Sequence, residues 1–228
     1  MRTILTVAIL FAAQIASAQS PSSEIAGVNA RTNDRRSDYT AAATATDHYD
    51  LGVYRLKAGD APGAITELDR AIALQPRDAF ALLSRSEAYF SLGENERAIA
   101  DLWNILGIRT RGPVAEQALL RLGQNAMENS DPSSAEILFD RCVKIAPYTA
   151  LPLCHRGIAR AALHQNDLAL EDLDRAIEID PMLDQAHVNK AIILLRMGFR
   201  QEGCASLQQA HDLGDFSTQQ MLLIHCDR

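Results

Sequence analysis

Four cysteines and six histidines are the residues of this chain whose chemistry reaches beyond packing. Cys204 and His211 stand seven apart, and His225-Cys226 follow near the end, so two sulfurs and two imidazoles gather in the C-terminal stretch. Such a set could hold tetrahedral zinc, or its thiols could join as a disulfide in an oxidising compartment. The spacing matches no compact zinc signature, and the amino terminus favours oxidation. Met1-Arg2-Thr3 is a basic start, and Ile4 to Ile15 is an apolar run broken by Thr6 and Gln14. Ala16-Ser17-Ala18 is then the small-x-small pattern of a cleavage site. Residues 1–18 are expected to be a signal peptide cleaved after Ala18, giving a periplasmic or secreted product. The apolar run is too short for a spanning helix of ~20 residues, so no stable membrane anchor is expected after cleavage.

The remaining histidines (His48, His155, His164 and His187) are scattered and read as packed or solvated. There is no Gly-rich phosphate loop, no paired-histidine zinc motif and no nucleophile elbow. Acid pairs such as Asp172 and Asp174 read as solvated helix faces. No catalytic residue, no metal ligand and no cofactor is therefore assigned. A metal-dependent enzyme using the C-terminal His/Cys group is the remote alternative. With 22 basic against 29 acidic residues the formal net charge is −7. That balance argues against nucleic acid, whose phosphates demand clustered cations.

The elements that must position these groups are visible as an internal repeat. Small residues recur at Gly52, Ser86, Gly123, Gly157 and Ala191, in steps of 34, 37, 34 and 34. Two further series keep the same steps: Ala64, Ala98, Ala135, Ala169, Gly203 and Ala71, Ile105, Cys142, Ala176, Ala210. Bulky partners follow at Leu68, Leu102, Phe139, Leu173 and Leu207. Segments such as Glu67 to Pro76 and Asp172 to Pro181 carry the apolar stripe of an amphipathic helix, ended by proline. Asp60 and Asp131, each shortly before a proline, are helix caps. Each unit is thus a helix, a tight turn and a second helix, the small residues marking where two axes approach to ~8–9 Å. One pair cannot bury its stripe alone, so neighbours must stack.

This organises the chain into a signal peptide (1–18), a flexible segment (19–45), five repeats across 46–215 and a capping helix (216–228). The repeats fall at about 45–78, 79–112, 116–149, 150–183 and 184–215. Three extra residues between Ile105 and Gly123 are expected to lengthen the turn at Arg109 to Pro113, which is either a plain loop or a basic contact loop. Ser217 and Gln220 form a capping-box pattern, with Phe216 and Met221 as its staple and Met221 to Ile224 covering the end of the stack. Across the turn at Gly214-Asp215, Cys204 and Cys226 lie at matching depth on antiparallel helices, and Cys142 and Cys154 flank the turn at Pro147-Tyr148 in the same way. Both pairs are expected as disulfides.

A small residue in the first helix, two in the second, a large apolar residue between them and a closing proline resemble the tetratricopeptide repeat, over roughly residues 45–215. The family's first-helix tryptophan is absent, with His48, Leu82, Leu119, Leu153 and His187 in its place. The resemblance implies an all-α solenoid, a right-handed superhelix of about five helix-turn-helix repeats plus a cap, whose first helices line a concave groove. That groove would comprise Tyr49, Val53, Leu56, Leu83, Glu87, Phe90, Leu120, Gln124, Met127, Ile158, Ala162, Ile192 and Leu195. Lys57, Arg121 and Asn189 do not compose the carboxylate clamp of the family's chaperone-binding members. The expected activity is a non-catalytic scaffold of the bacterial envelope that binds a protein or peptide segment. A self-associating structural component is the alternative.

Overall fold

The computed structural model describes residues 43–226. The expected signal peptide, and nearly all of the segment at 19–45, lie outside the described residues. Ala43 onward forms one compact unit. It contains five helical hairpins: α1 (Ala45–Lys57) with α2 (Ala61–Leu74), α3 (Ala79–Ser91) with α4 (Asn95–Ile108), α5 (Pro113–Glu128) with α6 (Pro132–Ile145), α7 (Ala150–Ala162) with α8 (Asn166–Ile179), and α9 (Asp184–Met197) with α10 (Arg200–Asp212). A 3-10 turn, Phe216–Thr218, and a short helix α11 (Gln219–His225) follow. No strand occurs among the described residues.

Local chemistry sets the helix ends. Thr44 and Asp47 form a reciprocal capping box at α1. Asp60 accepts a hydrogen bond from the Gly63 amide at 2.9 Å, and Asp131 accepts one from the Ser134 amide at 3.1 Å. Pro76, Pro147 and Pro181 lie just beyond α2, α6 and α8, where the backbone leaves the helical ladder.

Within each hairpin a small residue on the first helix receives a large one from the second. A Cβ added at Gly52 would stand 2.7 Å from Leu68 Cγ, and one added at Gly123 would strike the Phe139 ring. Leu68, Leu102, Phe139, Leu173 and Leu207 have no solvent exposure. Second helices pack on the first helices of the next hairpin, and the first helices of neighbouring hairpins also touch. The fold is an all-α solenoid, in which burial comes from neighbours rather than from one central core.

Three sequence expectations need correction. The turn at Arg109 to Pro113 is no longer than its counterparts, because Gly112 turns the chain at a φ of 94° and Pro113 starts α5 early. The three extra residues extend α5 to 16 residues, against 13 for α3 and α7. At the C-terminus the cap is Asp215, which accepts from the Ser217 amide at 3.0 Å, so Ser217 does not cap α11. Met221 and Leu222 are half-buried there, but Phe216, Leu223 and Ile224 are more than half exposed, so no staple forms and α11 covers the end only on one side.

Candidate partner-binding surface

The cysteines separate into two chemistries. Cys204 on α10 and Cys226 after α11 are joined as a disulfide, with Cα atoms 5.7 Å apart. Cys142 and Cys154 are not joined. Cys142 on α6 is buried in the central apolar cluster, its thiol 3.5 Å from the Glu116 carbonyl oxygen. Cys154 on α7 belongs to the next cluster, with Leu153, Leu173 and Ala176. Both residues flank one turn, but they face opposite hairpins. Burial pushes both thiols up to about 12, so neither is a nucleophile near neutral pH. His211 lies edge-on to Phe216, with ring centroids 5.4 Å apart. No group of three or more His, Cys, Asp or Glu is placed to hold a metal ion among the described residues.

Polar side chains between hairpins are clamps. Arg85 on α3 donates from Nε and Nη2 to both carboxylate oxygens of Asp101 on α4, at 2.8 and 2.7 Å. Its Nη1 donates to Asp69 on α2 at 2.7 Å. Arg156 on α7 repeats the arrangement, bidentate to Asp172 on α8 at 2.9 and 2.7 Å and reaching Asp140 on α6 at 2.9 Å. Arg160 adds a third donor to Asp172 and holds Glu136. Asp172 is therefore not the solvated surface acid that its helix alone suggested, being 3% exposed. Paired charges of this geometry position helices, and the hydrogen bonds from Arg85 to Asp101 hold its guanidinium more firmly protonated than usual. His155 stacks on Phe139 at 5.3 Å and lies 3.2 Å from Gln124. Burial pushes its pKa down to about 4, so it is neutral at physiological pH.

What remains is the wall of first helices. Of the residues expected to line it, Tyr49, Val53 and Leu56 lie on α1, and Glu87 and Phe90 on α3. Gln124 and Met127 follow on α5, Ile158 on α7 and Ile192 on α9. All of these are half-buried, and Ala162 is exposed. Phe90 and Met127 pack on the edge of the central cluster while keeping part of their surface open. Leu83 and Leu120 do not belong to this open set: at 8% and 9% exposure they are members of the cluster itself, because the small residues three positions on draw the helices close. Leu195 lies over Gly203 of α10, inside its own hairpin. Apart from Glu87 and Gln124, the side chains of this set are apolar or aromatic. What it can do is bury a segment against half-exposed apolar side chains.

Residues 49–103 match the tetratricopeptide repeat family. Over 116 residues the chain is 34% identical to tetratricopeptide repeat protein 36 of Xenopus tropicalis, covering 48% of this chain and 56% of that one. Over 133 residues it is 26% identical to mitochondrial import receptor subunit TOM70 of Homo sapiens, covering 58% of this chain and 22% of that one. The chain thus spans between about a fifth and just over half of these relatives. Among solved structures it resembles PilW, a type IV pilus biogenesis factor (TM-score 0.65, 19% identity, 74% of this chain and 77% of that one). It also resembles YrrB, described as a TPR protein with an unusual peptide-binding site (TM-score 0.63, 16% identity, 86% and 97%). At these identities the likeness is one of fold.

Proposed function

The chain is built of tetratricopeptide repeats, and from that premise we propose that it is a non-catalytic scaffold of the bacterial envelope, holding a protein or peptide segment along its first helices. One observation carries this reading: Phe90 and Met127 hold equivalent positions on neighbouring first helices, each packed against one apolar cluster yet part-exposed. Anchored, half-open apolar side chains lose little freedom when covered, which is what binding hot spots require. Export rests on the leader pattern at residues 1–18, and a stabilising disulfide at the C-terminus suits an oxidising compartment. N-terminal sequencing of the mature protein should begin at Gln19; a chain that keeps Met1 would remove the export claim.

The binding test is site-specific photo-crosslinking in envelope extract, with the crosslinker at position 90 or at Ile137, an exposed residue on the second helix α6. A discrete adduct from position 90 that is lost in a Met127→Ser background is expected. Equal adducts from both positions would sink the groove reading. A second reading, self-association through the ends, draws on Leu223 and Ile224 being 60% and 56% exposed. Light scattering over a range of concentrations separates the two, since a monomer at every concentration removes the second.

A further inference from the structure

Two clefts that share lining residues open beside the turn between α2 and α3, and neither is lined by a residue of the first-helix wall. One, of about 520 Å³, is lined by the turn from Gln75 to Phe80 and by Arg109. The other, of about 460 Å³, is lined by Ile72 of α2, Leu82 and Arg85 of α3, and Trp103, Asn104 and Ile108 of α4. Pro76 and Arg77 line both, so the two clefts meet there as one candidate site.

Its charge is unlike the rest of this acidic molecule. Arg77 and Arg109 are exposed, and neither takes part in any ion pair found among the described residues. The acids nearby are occupied. Asp78 accepts hydrogen bonds from the Phe80 and Ala81 amides, and Asp69 and Asp101 are held by Arg85. Three of the other four repeats place an acid where this one has Trp103, at Asp69, Asp140 and Asp174, and the fifth has Gln208. Here the carboxylate is gone, and the chain's one tryptophan stands 48% exposed in its place. Phe80, 51% exposed, supplies a second open ring.

We propose that this site docks an acidic peptide segment bearing an apolar residue, its carboxylates on Arg77 and Arg109 and its apolar side chain between Phe80 and Trp103. Unpaired guanidinium groups recognise carboxylates bidentately, and an exposed tryptophan flanked by arginine is the composition of an interface anchor. The site is independent of the first-helix wall, so a scaffold using both would join two partners.

Trp103 is the reporter. The full chain would be titrated with a blocked hexapeptide of alternating Glu and Leu while tryptophan emission is followed, with circular dichroism confirming that each variant is folded. A saturable blue shift is expected. It should weaken at least about tenfold in the Arg77→Glu/Arg109→Glu variant and with the Gln-for-Glu peptide, and weaken as salt rises and screens the contacts. Met127→Ser should leave it unchanged, which separates this site from the first-helix wall. Equal response to the charged and neutral peptides, or none to either, would overturn the proposal. So would an emission shift that follows protein concentration without peptide, since a second copy would then be the occupant.

Discussion

The junction between the second and third hairpins is held together differently from its neighbours. Between the first and second hairpins Arg85 ties Asp69 to Asp101, and between the third and fourth Arg156 ties Asp140 to Asp172. Lys190 reaches Asp174 at 2.6 Å at the last junction. Moved by one repeat, the same three positions at the second-to-third junction hold Leu122, Trp103 and Leu138. There Leu122 and Leu138 are 4% and 9% exposed, within a cluster running unbroken from Leu82 through Leu106, Val114 and Leu119 to Phe139. One repeat geometry therefore accepts either a charged clamp or an apolar wedge. The wedge derives its strength from area removed from water, at roughly 25 cal/mol per Å². The clamp gains Coulomb energy and hydrogen bonds against a desolvation cost, so it orients more than it stabilises.

Mutations can break that contrast. Phe139 belongs to the same apolar cluster, fully buried against Gly123 and stacked on His155. Phe139→Ala should cost about 3–5 kcal/mol, read as a fall in the urea midpoint. A loss below about 1 kcal/mol would mean that the cluster is not the mechanical centre.

The second effect is of pH. His155 has its folded pKa pushed from 6.5 down to about 4 by burial, so the unfolded chain takes up its proton first as the medium acidifies. Stability should then be full above pH 6.5 and fall as the pH drops toward about 4, by about 3 kcal/mol at the limit. His155→Leu should flatten that window in urea denaturation followed at several pH values. A profile unchanged by the substitution would place the titrating group elsewhere.

The smallest effect tests interchangeability. Arg85→Leu leaves Asp101 buried without its partner and should cost about 2 kcal/mol, less than a fully buried pair because Arg85 keeps some solvent contact. Adding Asp101→Leu, which copies the apolar junction, should recover most of that loss and make the midpoint less sensitive to salt. A double variant weaker than the single one would show that the two kinds of junction cannot be exchanged.

Much of the architecture was legible because small and large residues recur in phase, and a helix pair can satisfy that pattern in only one way. The clamps were harder to read. Asp172 looks solvent-facing on its own helix, and it is Arg156 and Arg160, sixteen and twelve residues earlier, that bury it. Arg85 and Asp101 repeat that spacing, so the signal was present in the sequence as a pair rather than as a residue. The same limit governed the cysteines. Distance from a turn places Cys142 and Cys154 at similar depth, but which way each faces depends on the hairpin that packs against it. Of the expected first-helix wall, the half-open positions on α1, α3 and α5 could be placed by period. Leu83, Leu120 and Leu195 could not, because helix separation decides whether an apolar side chain is lining or filling. Trp103, a lone aromatic where three sister repeats carry aspartate, breaks the repeat pattern by residue type rather than by period.

Two thiols sealed inside neighbouring clusters, beside two that are bridged, make the order of events during maturation matter. Four reduced cysteines on a nascent polypeptide allow several pairings, and only closure of the third and fourth hairpins takes Cys142 and Cys154 out of the competition. Whether oxidant or hairpin arrives first thus decides which covalent isomer accumulates, and replacing both sealed thiols with alanine would make the product indifferent to that race.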